Sequence, residues 1–372
     1  MSNFEVFDTL TDLAKHFKTM LRTKKYVLLF AYNGTGKTRL SCEFKNLSKN
    51  STKTKDNGDT LYYNAFTEDL FTWNNDLENN VDRKLLINQE SKFFDGLQEL
   101  SMEDKIRVHL SRYADFNFKI NYEDWSIHFS KDLKNEESTI TVDNIKISRA
   151  EEYIFIWCFF LAIVELVIEG NEAYKWVKYV YIDDPISSLD DNNAIAVANH
   201  LAQIINQQEN LKVIVSTHHS LFFNVMYNEF KKIKGKNFML LKDRENSKYI
   251  IQDTNDTPFF YHVSMLRELK KAIKTGNLYT YHFNILRNIL EKSANFQGFK
   301  DFSECIKNEQ PEIDDSTYAR YINILSHSNY SLYEPKEMVE DNKKIFKDIF
   351  EKHISIYKYN SELFEETQLE DQ

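Results

Sequence analysis

The stretch LLFAYNGTGKTRLS, residues Leu28–Ser41, joins a short apolar run to a turn that contains two glycines. The turn supplies Gly34 and Gly36, and the polar residues Lys37 and Thr38 follow it directly. Glycines let backbone N–H groups close around phosphates, a lysine reaches the β- and γ-phosphates, and a hydroxyl binds Mg²⁺. The stretch therefore predicts a P-loop, which is a nucleotide-binding turn between a buried strand and a helix.

The rest of the predicted phosphate loop consists of Asn33 and Thr35, which we expect to bind the nucleotide together with the two glycines. Ala31 stands where the P-loop pattern has its first glycine. That position mainly shapes the turn, so the departure is modest.

Composition limits the class of protein. A chain of 372 residues exceeds the usual single-domain size, so two domains are expected. The net charge of -10 argues against a generally basic nucleic-acid coat but does not exclude a local basic site. Cys42, Cys158 and Cys305 form no CxxC pair, which indicates neither a zinc site nor a disulfide framework and favours a reducing cytoplasm. The N-terminus, MSNFEVFDTL, lacks the features of a signal peptide.

One apolar segment, YIFIWCFFLAIVELVIEG from Tyr153, resembles a membrane span. It is shorter than the roughly 20 residues that a bilayer needs, and Glu165 interrupts it. We therefore expect a helix buried inside an α/β core and no membrane partner.

Alternating strands and helices indicate an α/β fold. Strands are predicted at Tyr26–Ala31, at LYYNAF, at Val177–Ile182 and at KVIVST, with a helix at about Asn192–Gln208. A helical pattern runs from about Asn88 to Tyr113, and FNFKINY, WSIHFS and STITVDNIKIS alternate with period two. The pattern predicts a nucleotide-binding domain over residues 1–262 with an antiparallel β insert. Residues 263–372 are predicted to form a smaller all-α domain that ends in a disordered acidic tail, SELFEETQLEDQ.

Two later motifs supplement the P-loop. The apolar strand in VKYVYIDDPISSLDDNN ends in Asp183 and Asp184, which places a carboxylate at the Mg²⁺ shell and a second one towards the attacking water. The strand in VIVSTHHS ends near His218, whose imidazole is within expected reach of a γ-phosphate. The metal ligands predicted through the nucleotide are Thr38 and Asp183.

These spacings resemble the ABC-type ATPase family. Residues 185–190, PISSLD, are similar to its D-loop and end in Asp190, and His218 is similar to its switch histidine. Residues 147–151, ISRAE, are similar to its signature motif. The resemblance implies that Ser148 contacts the γ-phosphate bound by a second subunit, in a head-to-tail homodimer or higher oligomer. Arg149 and Ala150 replace two glycines, and Asp184 replaces the usual glutamate, so slow hydrolysis is expected.

The C-terminal part carries a second set of polar residues. Arg287 and Glu291 are four residues apart and share one face of a predicted helix, while Arg320 and His327 lie about two helical turns apart. Arg287 and Glu291 are either a common surface ion pair or part of a ribonuclease site, and His327 is either structural or catalytic. In the second case a base takes the ribose 2′-OH proton, arginine stabilises the phosphorane, and an acid protonates the leaving oxygen without a metal.

Taken together, the P-loop, DDPISSLD, STHHS and the Arg287-x-x-x-Glu291…His327 spacing resemble the bacterial anticodon nuclease family of PrrC type. Arg320-x6-His327 also fits the Arg-x4-6-His pattern of HEPN-type ribonucleases. The resemblance implies a catalytic triad of Arg287, Glu291 and His327 in a HEPN-like helical domain.

The same resemblance implies the activity and its control. It implies cleavage of a tRNA, characteristically tRNA-Lys, in the anticodon loop 5′ to the wobble base, leaving a 2′,3′-cyclic phosphate and a 5′-OH. It implies ATP or GTP hydrolysis with Mg²⁺ for activation, dTTP binding, and no cofactor for the nuclease. It also implies antiphage defence, with latency imposed by a type I restriction–modification complex.

Several alternatives remain open on the residues alone. The aromatic run LYTYHF either stacks unpaired bases or forms the core face of its helix. Lys270, Lys271 and Lys274 either meet tRNA phosphates or form a solvated helix face. The chain is alternatively a regulatory ATPase whose effector nuclease is a separate protein, or a DNA-stimulated ATPase of the repair type.

Overall fold

The protein is represented by a computed structural model in which two compact units span residues 2–258 and 259–372. The residues that the structure describes are 4–49, 58–64, 70–76, 78, 81–91, 94, 100, 102–134, 139–186, 189–208, 211–243, 247–254, 260–306, 322, 337–357 and 359.

The first unit contains two sheets. Their strands are β1 (Phe4–Phe7), β2 (Tyr26–Ala31), β3 (Thr60–Asn64), β4 (Phe71–Asn74), β5 (Lys84–Ile87), β6 (Asn117–Asn121), β7 (Ser126–Lys134), β8 (Thr139–Val142), β9 (Tyr179–Asp183), β10 (Lys212–Thr217), β11 (Gly235–Asp243) and β12 (Lys248–Asp253). The larger sheet has the strand order β1-β12-β11-β2-β10-β9-β3. Its five strands from β11 to β3 are parallel, and β12 and β1 extend it with antiparallel pairs.

Helices cover both faces of this sheet. The helices of the first unit are α1 (Leu10–Met20), α2 (Lys37–Lys49), α3 (Met102–Leu110), α4 (Arg149–Ile168), α5 (Asp191–Gln207) and α6 (Ser220–Glu229). On β2, Leu29 belongs to a core shared with α1 and α2, whereas Phe30 faces Phe223 of α6 at a ring distance of 5.7 Å. A strand whose two faces are both buried must be apolar throughout, which explains the continuous run in YVLLFA. The predicted α/β P-loop fold is confirmed.

The apolar segment from Tyr153 forms most of α4, and twelve side chains of this helix are buried. Trp157 packs against Tyr63 of β3 at a ring distance of 5.3 Å, so the helix covers the sheet. Among the described residues, no helix has the length and apolar character needed to cross a bilayer.

The smaller sheet is the antiparallel insert, with the order β4-β5-β7-β6 and with β8 paired to β7. The sequence pattern did not indicate β4 or β5, nor β1, β11 and β12 of the larger sheet. The helical pattern predicted from Asn88 was wrong at its start, because residues 88–91 are not helical, and within the described residues it is α3 that forms the helix. The strands β1, β4 and β5 are four residues long, too short to show a clear period.

The described residues of the second unit include three α-helices, and the HEPN-like all-α domain stays a prediction. Its helices are α7 (Phe260–Thr275), α8 (Tyr281–Gln297) and α9 (Glu340–Ile356). An isolated bridge pairs Tyr279 with Glu337. The predicted boundary after residue 262 lies inside α7, and the predicted acidic tail lies outside the described residues.

Candidate functional site

The P-loop connects the end of β2 to the start of α2. Gly34 and Gly36 have φ angles of 79° and 112°, a region that side chains other than glycine rarely adopt. A Cβ on Gly36 would also lie 3.4 Å from Leu10 Cδ1 of α1. Both glycines are therefore required by the turn itself. The N–H of Thr35 donates to the Tyr32 carbonyl at 3.2 Å, which keeps the turn tight.

Lys37, the first residue of α2, is only 6% exposed. Its Nζ donates to the Ala31 carbonyl at 3.0 Å and to Asn33 Oδ1 at 3.2 Å, and it lies 3.6 Å from Asp184 Oδ2. The ammonium group is thus held by two acceptors of the loop and by the carboxylate of Asp184. A nucleotide phosphate that entered the loop would meet this positive charge.

Asp183 is the last residue of β9 and is 1% exposed. Its Oδ1 accepts a hydrogen bond from Ser216 Oγ of β10 at 2.6 Å, while Oδ2 is buried and has no hydrogen-bond partner among the described residues. Burial raises the pKa of this carboxyl, the charge of Asp184 adds to the rise, and the hydroxyls of Ser216 and Thr38 oppose it. Because an unpaired buried carboxylate oxygen is costly, the site is suited to a cation.

The following residue, Asp184, has a positive φ of 55°, which is uncommon outside glycine and frequent at functional sites. Its Oδ2 accepts from His218 Nδ1 at 2.6 Å, and its Oδ1 accepts from the His218 N–H at 3.1 Å. Burial would raise the pKa of Asp184, but the hydrogen bond and charge of His218 and the charge of Lys37 outweigh it and lower the pKa. Asp184 is therefore held as a carboxylate.

The donor set fits a Mg²⁺-nucleotide. The unpaired Oδ2 of Asp183 and the hydroxyl of Thr38 are oxygen ligands of the kind that Mg²⁺ prefers, and Lys37 and the loop amides suit phosphates. The structure brings Lys37 and His218 into contact with Asp184, and Asp183 is the neighbour of Asp184 in the chain. These four were all predicted as site residues from the sequence.

Two other predicted residues cap helices. Ser148 caps α4 in a capping box: the N–H of Glu151 donates to Ser148 Oγ at 3.3 Å, and Glu151 Oε2 accepts from the Ser148 N–H at 2.7 Å. Asp190 caps α5 by accepting from the Asn193 N–H at 2.9 Å. Ser148, Arg149 and Asp190 are exposed, so the start of each helix faces solvent in this single chain.

In the second unit, the predicted Arg287–Glu291 pair forms on α8. Arg287 Nε donates to Glu291 Oε1 at 2.7 Å, and the guanidinium lies 5.7 Å from the centre of the Phe302 ring. The two side chains are 23% and 42% exposed, so the pair is reachable from solvent. Arg320 and His327 lie outside the described residues, and their grouping with this pair stays a prediction.

The aromatic run before Arg287 divides between core and surface. His282 and Phe283 are buried, which makes them the core face of α8, whereas Tyr279 and Tyr281 are half-buried. The Tyr279 and Tyr281 rings are nearly parallel, with centroids 6.1 Å apart. On α7, Lys270, Lys271 and Lys274 are all exposed.

Sequence reasoning missed three residues that surround the carboxylates. In the parallel register Asn64, Asp183 and Ser216 are neighbours on adjacent strands, so their side chains share one face of the sheet. Thr217 follows Ser216, and its hydroxyl lies 3.3 Å from Asp184 Oδ1. A polar residue at the end of an apolar strand was the available signal, and it predicted Asp183, Asp184 and His218 but not these three residues.

Comparisons with known proteins show where this chain has relatives. The AAA_13 family, described as an AAA domain, matches residues 135–351, which is more than half of the chain. A protein of Escherichia coli named anticodon nuclease is 33% identical over 387 aligned residues, covering 91% of this chain and 95% of the relative. An uncharacterized protein of the Staphylococcus aureus chromosomal cassette SCCmec type IVc is 25% identical over 269 residues, 61% of this chain and 37% of that protein.

Among solved structures, an SMC head bound to the C-terminal winged-helix domain of ScpA pairs with 62% of this chain and 90% of its own. The TM-score is 0.32 and the sequence identity is 10%.

Proposed function

The chain belongs to the anticodon nuclease family, and from that premise we propose that it is a nucleotide-gated, metal-independent endoribonuclease that cleaves a tRNA in its anticodon loop. The first unit would bind and hydrolyse the nucleotide, and the second would cut RNA. The observation that carries the nuclease half is the Arg287–Glu291 pair, which forms on α8 with a 2.7 Å hydrogen bond and is open to solvent.

We assign the RNA chemistry to side chains of the second unit, in a HEPN-like helical domain. Arg287 is held by Glu291 and stabilises the negative charge that develops on the phosphorane. Glu291 and His327 supply the base and the acid that move protons from the 2′-OH and to the leaving 5′ oxygen. Arg320 assists at the phosphate. The ends produced are a 2′,3′-cyclic phosphate and a 5′-OH.

In the first unit, we assign phosphate binding to the loop from Asn33 to Gly36 and to Lys37. Thr38 and Asp183 would hold Mg²⁺, which neutralises phosphate charge when bound. Asp184, fixed by His218, would orient the attacking water. Since the pKa of Asp184 is lowered, it is a weak base, which supports a slow hydrolysis that times activation.

The proposal extends to partners by family membership. Ser148 and Asp190 would complete the nucleotide site of a second copy in a head-to-tail dimer or higher oligomer, since both lie at exposed helix starts. The expected substrate is tRNA-Lys, cut 5′ to the wobble base. ATP or GTP would drive activation and dTTP would hold the active state. The expected setting is cytoplasmic antiphage defence, with a type I restriction–modification complex imposing latency.

RNA sequencing that captures 2′,3′-cyclic phosphate ends tests the proposal. The wild-type protein and Arg287→Ala and Glu291→Gln variants are expressed in cells, and each is also incubated with tRNA and ATP, GTP or dTTP. We expect one new end in the anticodon loop of one tRNA, lost in both variants. The matched control is Glu351→Gln on α9, where Lys347 and Glu351 form an ordinary exposed pair at 3.7 Å.

Two results would contradict the proposal. Cutting by Arg287→Ala at the wild-type rate would make the pair a surface ion pair. Intact tRNA in cells and with all three nucleotides would favour a regulatory ATPase whose nuclease is a separate protein.

A further inference from the structure

A second histidine, His219, follows the predicted switch histidine and connects two elements that the proposed function treats separately. Its Nδ1 accepts from the Phe222 N–H at 3.4 Å and so caps α6. On the other side, its Nε2 lies 3.4 Å from Asp191 Oδ1, at the first residue of α5. One imidazole therefore joins the end of β10 to the start of α5.

The two contacts determine the tautomer. A nitrogen that accepts from a backbone N–H carries no proton, so Nδ1 is bare and the proton of the neutral ring is on Nε2. Burial lowers the pKa of His219, which keeps the ring neutral at pH 7 despite the opposing charge of Asp191. The Nε2–H thus points a proton towards the Asp191 carboxylate.

The backbone of His219 is linked to the carboxylate that faces the proposed water. Its N–H donates to Thr217 Oγ1 at 3.0 Å, and that hydroxyl donates to Asp184 Oδ1 at 3.3 Å. Asp184 in turn binds His218 through both of its oxygens. A displacement of His219 would therefore act on Asp184 within two contacts.

We propose that His219 is a positioning residue that ties the start of α5, directly after the D-loop residue Asp190, to the Asp184–His218 pair. Asp191 is 78% exposed, so a second copy of this chain docked at the start of α5 would meet this carboxylate directly. Movement of Asp191 would then adjust the geometry for nucleotide hydrolysis. This inference rests on the proposed nucleotide site and dimer, but not on the nuclease.

A hydrogen bond between the neutral imidazole and the exposed Asp191 carboxylate adds little to stability, so a merely structural role predicts almost no effect of its removal on hydrolysis. The test uses His219→Asn, because asparagine also caps helices but is too short to reach Asp191. Asp191→Ala removes the carboxylate partner of His219, and the double variant completes a double-mutant cycle. The matched control is Asp115→Ala, since Asp115 is likewise 78% exposed and pairs with Lys131 at 2.9 Å.

Hydrolysis of Mg-ATP and Mg-GTP by the full chain is the first readout. We expect His219→Asn and Asp191→Ala each to lower kcat by about five-fold with KM unchanged, and the double variant to lower it no further than either alone. Asp115→Ala should match the wild type. Unchanged kcat in both single variants, or effects that multiply in the double variant, would overturn the proposal.

Hydrogen exchange gives a second readout that needs no turnover, so the inference stays testable if hydrolysis is undetectable. Asp191→Ala should speed amide exchange over residues 217–222 by several-fold, while Asp115→Ala should leave it unchanged. Equal exchange in the two variants would exclude the link. The failure of this inference and that of the nuclease proposal are distinguishable. If the His219–Asp191 link is absent but tRNA is cut, only this inference fails; if the link is present but tRNA stays intact, only the nuclease proposal fails.

Discussion

At the scale of single residues, Asp183 and Asp184 are adjacent in the chain but have pKa values moved in opposite directions. Asp183 is buried beside a second carboxylate and has one oxygen without a hydrogen-bond partner among the described residues, so its pKa rises. Asp184 is bound by His218 and lies near Lys37, so its pKa falls. Two carboxylates whose environments separate their pKa values usually have separate roles.

We expect Asp183→Asn to weaken Mg²⁺-dependent nucleotide binding by at least about ten-fold, and Asp184→Asn to retain binding and lose about a hundred-fold in hydrolysis. Calorimetric titration with nucleotide, with and without Mg²⁺, and a phosphate-release assay measure the two effects. Because a raised pKa means that the folded state disfavours the Asp183 charge, Asp183→Asn should also raise the unfolding temperature at pH 7. Identical losses in both variants would show that the residues share one role.

Glycine is required at position 235 because there is no room for a side chain. It pairs with Tyr26 on the neighbouring strand, and a Cβ added to it would lie 2.1 Å from the Tyr26 ring. The ring cannot easily move because it is 3% exposed and packs on Phe230 at 4.2 Å.

Gly235→Ala should therefore lower the free energy of unfolding by about 1–3 kcal/mol. The control is Gly58→Ala, whose new Cβ would meet only Ser48 Oγ at an ordinary 3.7 Å. Chemical denaturation of both variants checks the prediction, and equal stability would show that β2 and β11 can separate at this point.

At the scale of helices, a buried polar chain connects three elements of the first unit. His109 of α3 contacts His200 of α5 at 3.2 Å, and His200 contacts the Tyr113 hydroxyl at 2.7 Å. His109 Nε2 also lies 3.2 Å from Glu165 Oε1, so the acidic residue inside the apolar helix α4 lies beside this histidine pair. Burial lowers the pKa of His109 to about 4 and that of His200 to about 3.

These values predict acid sensitivity. The unfolded chain takes up protons on both rings near pH 6.5, and the folded chain does not, so stability is complete above pH 6.5 and falls as the pH drops towards 4. The combined loss is on the order of several kcal/mol at pH 4. In urea melts from pH 7 to 4, His109→Gln with His200→Gln should flatten this fall, and His128→Gln, at a half-exposed position on β7, should not. An unchanged slope would assign the acid sensitivity to other groups.

At the scale of the whole molecule, the proposed gating makes the activity of the second unit depend on the first unit, but not the reverse. In the proposal, nucleotide binds to the first unit, which contains Lys37, and RNA is cut by the second, which contains Arg287. If nucleotide activates the nuclease, damage to the first site must silence both activities.

Lys37→Ala should therefore lower nucleotide affinity by at least about ten-fold, since the phosphate loses its buried cation, and should abolish tRNA cutting. Arg287→Ala should lose cutting and keep wild-type nucleotide affinity. Both assays on both variants test this asymmetry. Normal cutting by Lys37→Ala would show that the nuclease is not gated by this site.

The sequence predicted the parts of the fold that depend on neighbouring residues. The sequence predicted the strands β2, β9 and β10, the buried α4 and the P-loop, because hydrophobic runs and glycine turns act over a few residues. The site residues Lys37, Asp183, Asp184 and His218 were predicted for the same reason, since each lies at or shortly after the end of an apolar strand.

Only the tertiary structure decided which distant residues meet. The row Asn64–Asp183–Ser216 arises from the register of parallel strands, and no local pattern encodes register. His109 and His200 are 91 residues apart, and His219 and Asp191 meet only because the end of β10 lies beside the start of α5. Spacing within an element is set by its own geometry, whereas contacts between elements are set by packing of the whole core, and this is why the sequence alone yields the first and not the second.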